Sequence, residues 1–188
     1  MNPPPSVMSR LTSVVTGTEA NTLGLQTPAQ SFYQQYAIAI TAEGLNDSDV
    51  PPFYADHAVF HNQNGVDYRG DQIWPWIRQL FGQFGKLSHD FVKVREIQND
   101  DGSVDLLSQI TRHIWAPGNE SDKPSVSVPL SMVCNIGPNN APGTVGGLQF
   151  NEVWLYWDTY LLQPYFPADS VVFSSKNMFS DSAGWPRR

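Results

Sequence analysis

The 188 residues suffice for one domain, and a composition that is 40% hydrophobic and 12% aromatic supplies a sizeable core. A formal charge of −7 argues against a nucleic acid or an anionic membrane as partner and points to a neutral or weakly polar small molecule. The single cysteine, Cys134, excludes an internal disulfide and any cysteine-based zinc site; inside an apolar run it reads as a small buried hydrophobe.

Residues 1–26, rich in Pro, Ser, Thr and Gly, show no sustained periodicity and read as a flexible arm that adds little to the core. They lack the basic start and apolar stretch of a signal peptide, and no run approaches a membrane span, so a cytoplasmic location is expected. Without a secretion signal, the glycosylation patterns at Asn46 and Asn119 carry no weight.

The domain begins at Thr27, Pro28 and Gln30, where threonine caps a helix, proline takes its first position and glutamine reaches back. Phe32, Tyr33, Tyr36, Ala37 and Ile40 then recur at helical spacing until Gly44. A short helical piece over 51–54, a strand over 58–62 and a turn punctuated by Gly65 and Gly70 follow. The next helix, over 71–84, carries Ile73, Ile77, Leu80, Phe81 and Phe84 on one stripe and Pro75 in its first turn. Strands are expected over 87–98, 104–115, 126–136 and 147–162. Helices followed by a strand meander predict an α+β domain over 27–166: a cone-shaped, curved antiparallel β-sheet wrapped around N-terminal helices, open at one end as a pocket. Residues 167–188 form a C-terminal extension along the outside.

Two segments sharpen this. Phe53 to Asn62 (FYADHAVFHN), followed by Tyr68-Arg69-Gly70, resembles the helix end, short strand and glycine-started helix of SnoaL-like polyketide cyclases and ketosteroid isomerases. Glu152 to Asp158 (EVWLYWD), followed by Leu161-Leu162-Gln163, resembles the last strand of SnoaL-like proteins. The resemblance covers about residues 28–163 and implies the nuclear transport factor 2-like fold, a superfamily of isomerases, cyclases, dehydratases, transport factors and domains without catalysis.

It also implies site residues. Asp158 is the nearest match to the acid/base aspartate of the cyclases; as a plain residue it caps the strand end or pairs with an arginine. His89 and His113 stand where scytalone dehydratase has its general acid/base pair, and adjacent strands can bring two imidazoles onto one face. Glu43 and Asn62 stand roughly where that enzyme has its aspartate and tyrosines, a departure that argues against its exact reaction. Asn62 also falls where ketosteroid isomerases carry their aspartate base, and an amide cannot take a proton. Alternation sends only one of His61 and Asn62 to the pocket.

Glu152, Trp154 and Tyr156 share the face of Asp158, while Tyr33, Tyr36 and Tyr54 line the helical wall, either donating to a developing oxyanion or filling the cone. No metal site is expected, because His57 and His61 span a helix end and a strand, and no glycine-rich loop suits a nucleotide. The expected activity is cofactor-independent acid/base chemistry on a small hydrophobic, polyketide- or terpenoid-like substrate of secondary metabolism: an isomerase, cyclase or dehydratase. The alternative is a non-catalytic binding or transport module. Apolar residues on both faces of 104–115, together with Val153, Leu155 and Trp157, predict a homodimer through the outer face of the sheet.

Overall fold

Alternation of buried and exposed residues along four long strands organises the molecule. The computed structural model describes residues 10–17, 27–45 and 50–173, without the side chains of Ala42 and Glu43; the remaining arm residues, Asn46 and the end of the extension lie outside the described residues. In chain order come β1 (Arg10–Thr16), α1 (Pro28–Ala39), the single turn α2 (Ala42–Leu45), β2 (Tyr54–Asn62), β3 (Val66–Arg69) and, after a 3-10 turn, α3 (Ile73–Phe81). Then follow β4 (Lys86–Gln98), β5 (Val104–Trp115), β6 (Val126–Pro138), β7 (Leu148–Trp157) and a 3-10 turn over Thr159–Leu162.

One seven-stranded sheet results, in the order β1-β4-β5-β6-β7-β2-β3. All neighbours are antiparallel except β2 and β7, which run parallel. The sheet is curved and unclosed, and the architecture is the α+β class expected. Its inner face carries Val94, Leu106, Ile110, Ile114, Val128, Met132 and Leu155. Phe32, Tyr33 and Tyr36 of α1 and Ile73, Trp76, Ile77 and Leu80 of α3 cover that face. Cys134 is buried, its thiol directed at the Leu106 carbonyl.

Three expectations need correction. Pro51 to Tyr54 is extended rather than helical, because the Phe150 amide donates to the Phe53 carbonyl and the Gln149 side-chain amide donates to the carbonyls of Pro52 and Tyr54. These bonds draw the segment along β7, and β2 starts at Tyr54. The last strand ends at Trp157, where Asp158 starts a 3-10 turn. Residues 10–16 are not a formless arm but an edge strand paired with β4, although most of its side chains are exposed. Val172 of the extension is buried, as is Phe166 just before it, whose ring meets Phe84 edge-on at 5.0 Å.

The start of α1 is fastened to the same edge. Thr27 caps the helix as its sequence predicts, its hydroxyl oxygen accepting from the Gln30 amide at 3.2 Å. The hydroxyl hydrogen goes to the carboxylate of Glu96, which is buried on β4. Thr12 of β1 donates to the same carboxylate, and the Gln30 side chain donates to Ser13. Thr27→Ala therefore removes a cap and a partner of a buried carboxylate at once. The expected loss is about 2 kcal/mol, or about 4–8 °C in Tm for a chain of this size. A thermal melt shifted by less than about 1 °C would show that the network carries no stability.

Candidate functional site

Register decides which polar residues enter the cone. Across β4 and β5, His89 pairs with Arg112 and Ser88 pairs with His113. Position 112 shares the parity of Leu106, Ile110 and Ile114, so Arg112 and His89 point inward and His113 points out. The expected His89–His113 pair on one face does not form. His113 sits instead in an outer cross-strand row, 2.8 Å from the Ser127 hydroxyl and 3.0 Å from the Asp90 carboxylate.

The same rule relocates the β7 residues. Val153, Leu155 and Trp157 are buried, so Glu152, Trp154, Tyr156 and Asp158 share a face as expected, but it is the outer one. Asp158 is exposed and its carboxylate accepts from the Tyr160 amide at 3.0 Å, a capping role and not a buried acid. It borders an open depression of about 620 Å³ outside the sheet, together with Tyr156. Glu152 bonds His61, whose ring stacks on Trp154 at 4.9 Å and also meets Asp67. His61 is thus the outward member of its pair with Asn62. The Asn62 side-chain oxygen is buried with no hydrogen-bond partner among the described residues. Val153, Leu155 and Trp157, on which the dimer expectation rested in part, point inward, and Trp154 and Tyr156 stand on the outer face in their place.

Inside the cone, a different set converges. Arg112 is 3% exposed, and its Nε donates to Nε2 of His89 at 3.0 Å. Its guanidinium carbon lies 4.5 Å from the centre of the Phe81 ring and 5.2 Å from that of Trp157. Burial lowers the Arg112 pKa to about 10, so the group stays cationic at neutral pH. Burial, then the Arg112 cation, then His113, hold His89 well below its ordinary 6.5. A neutral imidazole that accepts at Nε2 carries its proton at Nδ1. His89 is therefore a hydrogen-bond donor backed by a cation, and a poor base.

The tyrosines add donors. Tyr54 donates to Tyr36 at 2.7 Å, which leaves the Tyr36 hydrogen without an acceptor among the described residues. Ser108 donates to the Met132 carbonyl, so Tyr33 is the donor in its 2.6 Å bond to Ser108. Burial raises the pKa of all three phenols, so they stay protonated. Glu96 is the one buried carboxylate among the described residues, and threonines hold it. His89 also lines a groove of about 400 Å³ between α1 and β4, walled by Gln34, Ala37, Ile38, Thr41, Leu87 and Phe91. Sequence reasoning passed over Arg112 because arginine is rarely buried. Its parity with Leu106, Ile110 and Ile114 was the available signal.

The low pKa of His89 has a stability consequence. Between its folded value and about 6.5 the unfolded chain binds more protons, so stability rises with pH there and falls as pH drops below about 6.5. In melts from pH 7 down to pH 5, the decline in Tm should be shallower for His89→Gln than for the native chain. Parallel declines would contradict the half-buried, neutral imidazole.

Among the described residues no cluster of three His, Cys, Asp or Glu side chains is arranged to hold a metal, and no helix is long and apolar enough to cross a membrane. No family model matches the sequence. A search of curated proteins also finds no match. Solved structures do match. A hexachlorocyclohexane dehydrochlorinase, LinA-type3 from Novosphingobium barchaimii LL02, aligns over 74% of this chain and 90% of its own with a TM-score of 0.54 and 11% identity. Nuclear transport factor 2 from Cryptosporidium parvum aligns over 78% of this chain and 100% of its own, with a TM-score of 0.51 and 13% identity. A protein with a ketosteroid isomerase-like fold from Catenulispora acidiphila DSM 44928, in complex with trimethylamine, aligns over 73% and 95%, with a TM-score of 0.50 and 15% identity. At these identities the likeness concerns the fold, and it agrees with the resemblance carried by the two sequence segments: the chain has the nuclear transport factor 2-like fold.

Proposed function

We propose that this chain takes a small, largely apolar carbonyl compound into the cone and acts on it without a cofactor, as an isomerase, cyclase or dehydratase. The observation that carries this reading is the pair formed by half-buried His89 and buried Arg112. A neutral imidazole N–H backed by a guanidinium is a strong donor toward an oxygen on which negative charge grows. Enolisation, and the cyclisations and eliminations that pass through an enolate, are reactions such a donor accelerates, with a water or buffer base taking up the α-proton, since His89 is a poor base and Glu96 is held by threonines. The Tyr36 hydroxyl is a further donor in the same interior.

A second reading is a binding or transport module. It is favoured by the engagement of Glu96 with Thr12 and Thr27, because that takes up the one buried carboxylate. The fold neighbours include both a dehydrochlorinase and a transport factor, so the fold accommodates either.

Deuterium exchange separates the two. Small aryl ketones and 1,3-diketones are incubated with the protein in D2O, and loss of their α-proton signals is followed by NMR. Exchange faster than buffer and suppressed in His89→Ala supports the enzyme. Ligands that bind in the cone yet exchange at the buffer rate would sink it and leave the carrier.

A further inference from the structure

We infer that the cone is a receptor for a carboxylate: its ligand is a small apolar or aromatic monocarboxylic acid whose anionic oxygen is seated on Arg112. This rests on the cone being the binding site, and it names the class of ligand that site takes.

The argument begins with an unbalanced charge. Arg112 is 3% exposed, and among the described residues its buried Nη1 has no hydrogen-bond partner and no ion pair includes it. Burying a cation without a counter-ion is unfavourable, and buried charges are as a rule paired. The partners present compensate in part: neutral His89 accepts from Nε, and the rings of Phe81 and Trp157 lie against the fork. None of them neutralises it. A carboxylate oxygen would satisfy Nη1 and the charge together, through the shorter and stronger bond formed between ions.

The surroundings select among anions. The chain's overall charge of −7 repels anions at long range, so the preference must come from a desolvated contact rather than from steering. Arg112 is the one buried cationic side chain among the described residues, enough for a monoanion but not for a phosphate dianion. The flanking rings of Phe81 and Trp157 suit a flat or apolar body attached to the carboxylate. Glu96, which would repel an anion, is on β4 at the Thr27 end of α1 and already holds two hydroxyls.

The test is a matched set of probes at pH 7: phenylacetate, its neutral isostere phenylacetamide, and phenyl phosphate, titrated by calorimetry into the native chain, Arg112→Gln and Arg112→Lys. Phenylacetate is expected to bind the native chain at least ~10-fold more tightly than the amide or the phosphate. That preference should vanish in Arg112→Gln and survive in part in Arg112→Lys, which keeps the charge; circular dichroism of each variant establishes that it is folded. Equal binding of acid and amide, no binding of the acid at ~10 mM, or a preference unchanged in Arg112→Gln would each overturn the inference and leave Arg112 as a packed arginine. The outcome is independent of the exchange experiment. A carboxylate preference without exchange would fit a carrier of acids, and exchange of neutral ketones without the preference would keep the enzyme and discard the receptor.

Discussion

His89→Ala is expected to lower α-proton exchange by about 10²–10³-fold, the usual worth of one donor aimed at a developing oxyanion. The substitution removes the imidazole N–H and strips Arg112 of its Nε acceptor, 3.0 Å away. His89→Gln separates these effects. Its amide oxygen can accept from Arg112 while its NH₂ offers an unpolarised donor, so a smaller fall is expected, with Arg112 held in place. Asp158→Asn and His113→Ala should leave exchange within about 2-fold of native, because both groups lie on the outer face of the sheet. Exchange in His89→Ala close to the native rate would remove the imidazole from the reaction. A large loss in Asp158→Asn or His113→Ala would mean that the chemistry lies outside the cone.

Trp76→Ala is expected to be the most damaging single change to stability, at about 3–5 kcal/mol, or about 6–20 °C in Tm. Trp76 is 1% exposed and stacks on Tyr68 with ring centres 4.1 Å apart, while Phe60 meets it edge-on at 4.9 Å. It thereby fastens α3 to the β2–β3 hairpin. Phe81, which covers Arg112, lies at the end of the same helix, so the variant should also weaken ligand binding in the cone. Denaturant titration measures the first effect and calorimetry the second. A loss below about 1 kcal/mol would show that the helix is held elsewhere.

Much of this architecture is legible in the sequence because it depends on local chemistry. The Thr27-Pro28 start of α1, the stripe of α3 and the bounds of β4 and β5 follow from capping, helical spacing and strand alternation. The segments Phe53 to Asn62 and Glu152 to Asp158 point to the correct fold for a similar reason: both are continuous stretches whose pattern survives without their partners.

What sequence could not decide is which side of a strand meets the helices. β7 is apolar on both faces, with Val153, Leu155 and Trp157 against Trp154 and Tyr156, so period-two alternation allows either set inside. Only the packing of α1 and α3 onto the sheet settles it, and that choice moved Asp158 outward. In β5 one residue of parity separates the inward Arg112 from the outward His113, and the pairing with β4 fixes it. Pro51 to Tyr54 looked helical because its hydrogen-bond partners, Gln149 and Phe150, lie almost a hundred residues away. Local patterns are set by neighbours along the chain, whereas the face of a strand and the partner of a buried charge are set by contacts across it.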